Sequence, residues 1–289
     1  MKVVPDESTR LAMLKKGEAD IAYLMLGPVA EEIKRTPSLR LVPSGGQWVT
    51  AVCMLDQQDP KSPWHDSRVR LAASHAIDRK AISDADSLGA SPPMGSIIPP
   101  ATEFALLVEP PAYNPSRAKQ LLREAGYPNG FDAGEMVGTV QFANAAEAVI
   151  NYFAAVGIRA RFRTMERVTY LTAWKDKKLK NLLLCGAGGY GNAATRAENY
   201  LVTGGTYAIG GNPDIDDLFQ QQARELDRTK RQVLLQRIQR LAHERTLFLP
   251  IYALFFNNGV GPRVQESSLG RIPLHYYTAP FEDMRLKGN

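Results

Sequence analysis

Few residue groupings in this chain have the types and spacing that chemistry requires. The most suggestive is Gly186-Ala187-Gly188-Gly189-Tyr190-Gly191, which satisfies G-x-G-x-x-G directly after an apolar, strand-like run. Glycines so spaced let a backbone approach a dinucleotide pyrophosphate at a helix N-terminus, and an NAD(P)-dependent oxidoreductase would use the loop in that way. The motif stands two-thirds along the chain, outside a clear strand–helix–strand unit, and the acidic residue such a loop needs about twenty positions on is missing. Asp214 falls near that offset but opens a helix after Asn212-Pro213. What the glycines do indicate is that a ligand or another backbone comes close here.

The other reactive side chains are dispersed. Cys53 and Cys185 are too few for a disulfide framework or a zinc cage, and both lie in apolar runs, so they read as a buried, inert pair of thiols. One bridge between them is the alternative. His65, His75, His243 and His275 show no metal-ligand spacing, and no metal or other cofactor is expected. There is no G-x-S-x-G elbow and no H-E-x-x-H pair. The neighbouring carboxylates Glu31/Glu32 and Asp216/Asp217 fall on amphipathic stretches as solvated faces. The chain therefore reads as a non-enzyme.

These residues must be positioned by elements that the patterning predicts. Helices are expected at Thr9–Lys16, Pro28–Thr36, Ser67–Ile82, from Pro115 to Glu124 behind an Asn114 cap, and at Ala145–Ala155, Thr169–Lys175, Asp214–Leu226 and Thr229–Arg245. Strands are expected at Ala19–Leu24, Leu39–Val42, Trp48–Leu55, Ile158–Thr164, Asn181–Cys185 and Phe248–Phe256. Gln57–Pro63 has the polar, proline-bearing composition of a crossing between domains. Ser87–Pro111, rich in Gly, Pro and Ser, reads as an ordered surface loop. The basic stretch Lys175–Lys180 reads as a solvated turn. Helices alternating with strands imply an α/β protein with largely parallel sheets.

Composition bounds the function classes. The 289 residues are 44% hydrophobic and 22% charged, as in ordinary globular proteins. A net charge of +5, from 35 basic against 30 acidic residues spread along the chain, is too diffuse for a nucleic-acid surface. The longest apolar run, Leu247 to Phe256, is half the length of a membrane helix and contains Pro250.

A resemblance then appears. Val69-Arg70-Leu71-Ala72-Ala73-Ser74-His75-Ala76-Ile77-Asp78-Arg79-Lys80-Ala81-Ile82 is similar to the V-R-x-A-x-x-x-A-I-D-R-x-x-I segment of the family 5 extracellular solute-binding proteins, the peptide-, nickel- and opine-type binding components of ABC importers. The stretch from Tyr113 to Phe131 resembles a second family segment almost residue for residue. Shorter resemblances follow in order at Pro5–Arg10, Gly17–Ala22, Asn212–Leu218 and Ala242–Tyr252.

The resemblance implies a type II periplasmic binding protein-like α/β fold, with one complete lobe and part of a second. Residues 1–55 would be part of lobe I and the hinge, 56–247 lobe II, and 248–289 the return to lobe I. The abrupt start, without a signal peptide, is expected of the C-terminal portion of a longer protein. The implied function is capture of a small solute between lobes and delivery to permease subunits, in the periplasm or outside the cell. A monomer is expected, without nucleic-acid partners and meeting the membrane only through the permease. A ligand-sensing domain of a transcriptional regulator is the other alternative.

In dipeptide-binding members a Gly-Trp-rich loop carries an aspartate for the peptide amine. Here its equivalent, Cys185–Asn192, has glycine near those positions, at Gly186 and Gly189. The segment that supplies an arginine for the peptide carboxylate reads Thr139-Val140-Gln141-Phe142-Ala143-Asn144, without arginine. Charge-assisted bonds are the strong ones, so a peptide held by its termini is disfavoured and a neutral, aromatic or acidic small molecule fits better. The expected ligand contacts are Tyr190, Asn192 and Arg196 from the glycine loop, Gln141 and Phe142 from its neighbour, and Trp48 near the hinge.

Overall fold

A computed structural model describes residues 2–189, 191–272 and 279–288. In chain order the elements are α1 (Glu7–Lys15), β1 (Ile21–Ala22), α2 (Gly27–Arg35), β2 (Arg40–Met54), α3 (Ser67–Ala76), α4 (Arg79–Ser87), α5 (Pro115–Glu124), β3 (Phe131–Gly138), α6 (Ala143–Val156), β4 (Ile158–Thr164), α7 (Arg167–Lys175), β5 (Leu182–Ala187), α8 (Ala193–Tyr200), α9 (Pro213–Arg224), α10 (Arg228–Glu244), β6 (Leu249–Val260), β7 (Val264–Glu266) and β8 (Arg285–Leu286). They form two compact units, residues 1–47, 80–92 and 253–289 in the smaller, and 48–79 and 93–252 in the larger. Strands β2 and β6 each contribute residues to both.

In the smaller unit β1 pairs antiparallel with β6, Ile21 opposite Val260, and β7 with β8. Leu11, Leu14, Ala30 and Ile33 of α1 and α2 form its core with Ala22, Met25 and Leu39. Asp6 caps α1 by accepting from the Thr9 amide at 2.7 Å. Gly45 and Gly46 stand at positive φ where β2 passes Leu254 and Phe255 too closely for a Cβ, so one long strand replaces the separate strand expected at Leu39–Val42.

In the larger unit the strand order is β2-β5-β3-β4. The β2–β5 pair is antiparallel, whereas β5–β3 and β3–β4 are parallel, so the sheet is mixed rather than largely parallel. Residues 51 and 53 of β2 and 183, 185 and 187 of β5 share one face, packed with α7–α10 through Tyr170, Trp174, Ala197, Tyr200, Ile215 and Leu235. The alternate residues 48, 50, 52, 184, 186 and 188 belong to the opposite face.

Several expectations are corrected. The helix expected over Ser67–Ile82 breaks at Ile77, whose φ and ψ of −90° and 117° are extended. The Arg79 guanidinium donates to the carbonyls of Ser74 at 2.9 Å and Ile77 at 3.4 Å, taking acceptors that a continuous helix would use. Strand β3 was not expected, because Asp132, Gly134 and Glu135 interrupt its alternation. A register shift between Asp132 and Glu135, with Gly134 at φ +73°, absorbs them as a bulge. The Ser87–Pro111 segment is not a surface loop throughout: Ile97, Ile98 and Phe104 are buried in the core. Its path is fixed by a bridge from Pro93 to Tyr252 and by the Met94 amide donating to Ile251. Nor is the basic turn wholly solvated, since Lys177 donates from Nζ to the carbonyls of Gly205, Thr206 and Ala208.

Candidate ligand platform at the glycine loop

The glycine loop joins β5 to α8, and it is held from two sides. Beneath it, Arg196 and Tyr200 lie four residues apart on α8 and so on one face of that helix. Arg196 is only 1% exposed. Its guanidinium donates to the carbonyls of Ala187 at 3.1 Å, Gly189 at 3.3 Å and Ile97 at 3.3 Å. Burial lowers its pKa to about 10, with Tyr200 pulling the other way. The Tyr200 hydroxyl accepts from the Gly188 amide at 3.0 Å and donates to the Gly188 carbonyl at 3.2 Å. Burial and the nearby Cys185 raise the pKa of that phenol. Tyr200 is fixed in turn by stacking on Tyr207, with ring centroids 5.4 Å apart, and by edge contact with Phe248 at 6.3 Å.

On the opposite side Trp48 lies against the same glycines. A Cβ at Gly188 would fall 2.7 Å from Cδ2 and Cε2 of the indole, and one at Gly186 would stand 3.0 Å from Cε3 of Trp48 and 3.2 Å from Cζ of Phe142. Glycine at 186 and 188 is thus what lets the indole lie on the backbone. The sheet register explains the meeting, since Val49 pairs with Ala187 and Thr50 with Gly186. Thr50 Oγ1, opposite Gly186, is buried without a hydrogen-bond partner.

The residues expected from the sequence divide accordingly. Trp48 and Phe142 meet at Gly186. Gln141 is exposed in the short 3-10 turn Val140–Phe142, where its Oε1 accepts from Arg167 at 3.3 Å. Asn192 is the N-cap of α8, its Oδ1 accepting from the Ala194 amide at 3.0 Å. Arg196 faces inward, onto the carbonyls of the loop. Tyr190 lies outside the described residues, as does His275. Sequence reasoning missed Tyr200 and Thr50. A tyrosine four residues beyond Arg196 was the available signal for the first; Thr50 needed the strand register.

The arrangement offers an aromatic surface and backbone polar groups. His65, His75 and His243 each meet a backbone carbonyl through Nδ1. Among the described residues no cluster of His, Cys, Asp or Glu could hold a metal ion. The dinucleotide alternative meets an obstacle in Trp48, which fills the space beside Gly188 that a pyrophosphate would need.

Residues 1–208 match the family model of bacterial extracellular solute-binding proteins, family 5. The chain belongs to this family. Heme-binding protein A of Haemophilus influenzae is 26% identical over 280 residues, covering 92% of this chain and 50% of its own length. The glutathione-binding protein GsiB of Salmonella choleraesuis is 31% identical over 167 residues, 56% of this chain and 32% of that protein. The chain thus spans half or less of the length of these curated relatives. Among solved structures, the ABC transporter substrate binding protein CtaP from Listeria monocytogenes superimposes with a TM-score of 0.83 at 17% identity, covering 99% of this chain and 59% of that one. That likeness identifies the fold as the mixed α/β fold of type II periplasmic binding proteins, in agreement with the expectation. Neither the oxidoreductase nor the regulator alternative finds support in these relatives.

Proposed function

We propose that this chain acts as part of the solute-capturing component of an ABC importer. It binds a small organic molecule outside the cytoplasm and passes it to the membrane permease, as a monomer and without transforming it. The larger unit, 48–79 and 93–252, overlaps the 56–247 stretch expected to form lobe II, and the glycine platform belongs to it. The observation that carries the reading is the Trp48 indole laid on Gly186 and Gly188, with Arg196 and Tyr200 bracing the same loop from α8. Trp48, Phe142, Gln141, Tyr190 and Asn192 would meet the ligand, and Arg196 would act through the loop carbonyls it holds.

Because Arg196 is engaged with the backbone, the platform favours a flat or unsaturated solute over a peptide gripped by its charged ends. The names of the relatives supply heme and glutathione, one probe of each kind, and a tetrapeptide with free termini is added as a second peptide. Thermal-shift titrations with heme, glutathione and a tetrapeptide test the preference. The unsaturated macrocycle should raise the melting temperature most; a shift produced by the tetrapeptide alone would overturn the proposed ligand class.

A further inference from the structure

Directly behind the platform stands a feature that ligand capture does not use. Cys53 of β2 and Cys185 of β5 are free thiols with no solvent exposure, and their Sγ atoms are 3.1 Å apart. The register pairs Cys53 with Leu183 and Ala51 with Cys185, so the two cysteines are diagonal neighbours on one face of an antiparallel pair. Closing from 3.1 Å to the ~2.05 Å of a disulfide requires the two sulfurs to approach by about 1 Å. Their surroundings are Tyr170, Trp174, Tyr200 and aliphatic side chains. Burial, and then the neighbouring Cys185, push the Cys53 thiol well up, away from the thiolate that exchange requires. The pair is therefore poorly built for reversible redox chemistry in the folded protein.

We propose that Cys53 and Cys185 form an intrachain disulfide when the chain folds in an oxidising compartment, stapling β2 to β5 one residue before Gly186. The bond would form before α7 and α8 cover the thiols, by exchange with a low-molecular-weight or protein disulfide. One cysteine thiolate attacks a sulfur of that disulfide, giving a mixed disulfide and releasing one thiol. The second cysteine thiolate then attacks the first cysteine's sulfur and expels the second thiol. Both cysteine sulfurs are oxidised, both sulfurs of the exchange partner are reduced, and the two cysteine protons end on the released thiols. The bond closes a loop with a sequence separation of 132 residues, long enough to restrict the unfolded chain strongly. In the folded state it ties the strand carrying Trp48 to the strand leading into the glycine loop.

The proposal rests on the extracytoplasmic location in the proposed function but needs no ligand, so a thiol count and a ligand titration can fail separately. The chain is unfolded, refolded in a buffer of oxidised and reduced glutathione, and in parallel exported to a bacterial periplasm. Folded protein from either preparation is denatured with an alkylating agent, and its peptides are mapped. The expected result is a Cys53–Cys185 cross-linked peptide, no alkylated cysteine, and a melting temperature about 5 °C or more above that of the reduced protein. In the double variant Cys53→Ala, Cys185→Ala the melting temperature should not respond to reductant. Folded protein with both cysteines alkylated, or cysteines found only in intermolecular links, would overturn the proposal.

Discussion

Two buried guanidiniums in the larger unit perform related tasks in contrasting settings. Arg79 sits where α3 ends and α4 begins, and donates to the carbonyl of Pro250 at 2.7 Å, to the Ser74 carbonyl at 2.9 Å and to Ser74 Oγ at 2.7 Å, with Pro111 at 3.3 Å. Arg196 donates to the carbonyls of Ile97, Ala187 and Gly189 at 3.1–3.3 Å. Burial lowers both pKa values to about 10. Each uses one cation to bond several backbone acceptors at once. What differs is the backbone being held. Around Arg79 it is a helix break, a proline-rich segment and a core strand, joined by three bonds of 2.7–2.9 Å and two of 3.3–3.4 Å. Around Arg196 it is the glycine loop, joined by bonds of 3.1–3.3 Å, with an aromatic side chain on its other side. The same chemistry thus makes a joint between elements in one place and holds the loop proposed to receive the ligand in the other.

The contrast can be broken by mutation. The largest effect is expected from Arg79→Leu, which removes the buried donor to the carbonyls of Ser74 and Pro250 and to Ser74 Oγ and should lower stability by about 3–5 kcal/mol, read from the urea midpoint. Arg196→Leu should cost less, about 2–3 kcal/mol, because its bonds are longer. Unlike Arg79→Leu, it should also release the loop selectively, visible as faster amide exchange at Gly188 and Gly189 with little change on β3. Equal, global loss in both variants would erase the distinction.

A smaller effect tests the other face of the platform. Gly188→Ala places a methyl against the indole and should destabilise by about 1–2 kcal/mol. In a Trp48→Ala background the same substitution should cost close to nothing, so the double-mutant cycle reads the contact directly. The smallest change is Thr50→Val. Removing a buried hydroxyl without a partner should leave stability unchanged or raise it by about 1 kcal/mol in thermal unfolding.

Much of this architecture was legible in the residues, for local reasons. Asn114-Pro115 set the start of α5, with the Asn114 side chain accepting from the Arg117 amide at 2.9 Å. The Ile–Arg alternation of 158–164 marked β4, the half-solvated edge of its sheet. The unread parts depend on distant groups. The end of α3 is tied to an arginine that bonds across to β6, and β3 is hidden by a bulge that only its pairing with β4 reveals. At the site, a family resemblance led to Trp48, Phe142 and the glycines. That Trp48 rests on Gly188, and that Tyr200 braces it from below, follow from the β2–β5 register and the packing of α8. Neither is a property of local sequence. The thiol pair shows the same limit: two cysteines in apolar strands read as a buried pair, as they are, but their 3.1 Å separation follows only from the β2–β5 register.

The central claim, that the ligand is received on Trp48 over the glycine loop, has a direct optical test. The other two tryptophans, Trp64 and Trp174, are only 2% and 4% exposed, so a solute that quenches by contact acts chiefly on Trp48, whereas heme, which also quenches buried indoles by energy transfer, is read by calorimetry. Indole fluorescence is titrated with glutathione and a tetrapeptide in the wild-type protein and in Trp48→Phe, with calorimetry run in parallel to measure binding of these and of heme. The account predicts saturable quenching in the wild type that is lost in Trp48→Phe, with affinity reduced at least tenfold and the unfolding transition within about 1 kcal/mol of wild type. A solute that binds both proteins with equal affinity would place the site elsewhere and contradict the account.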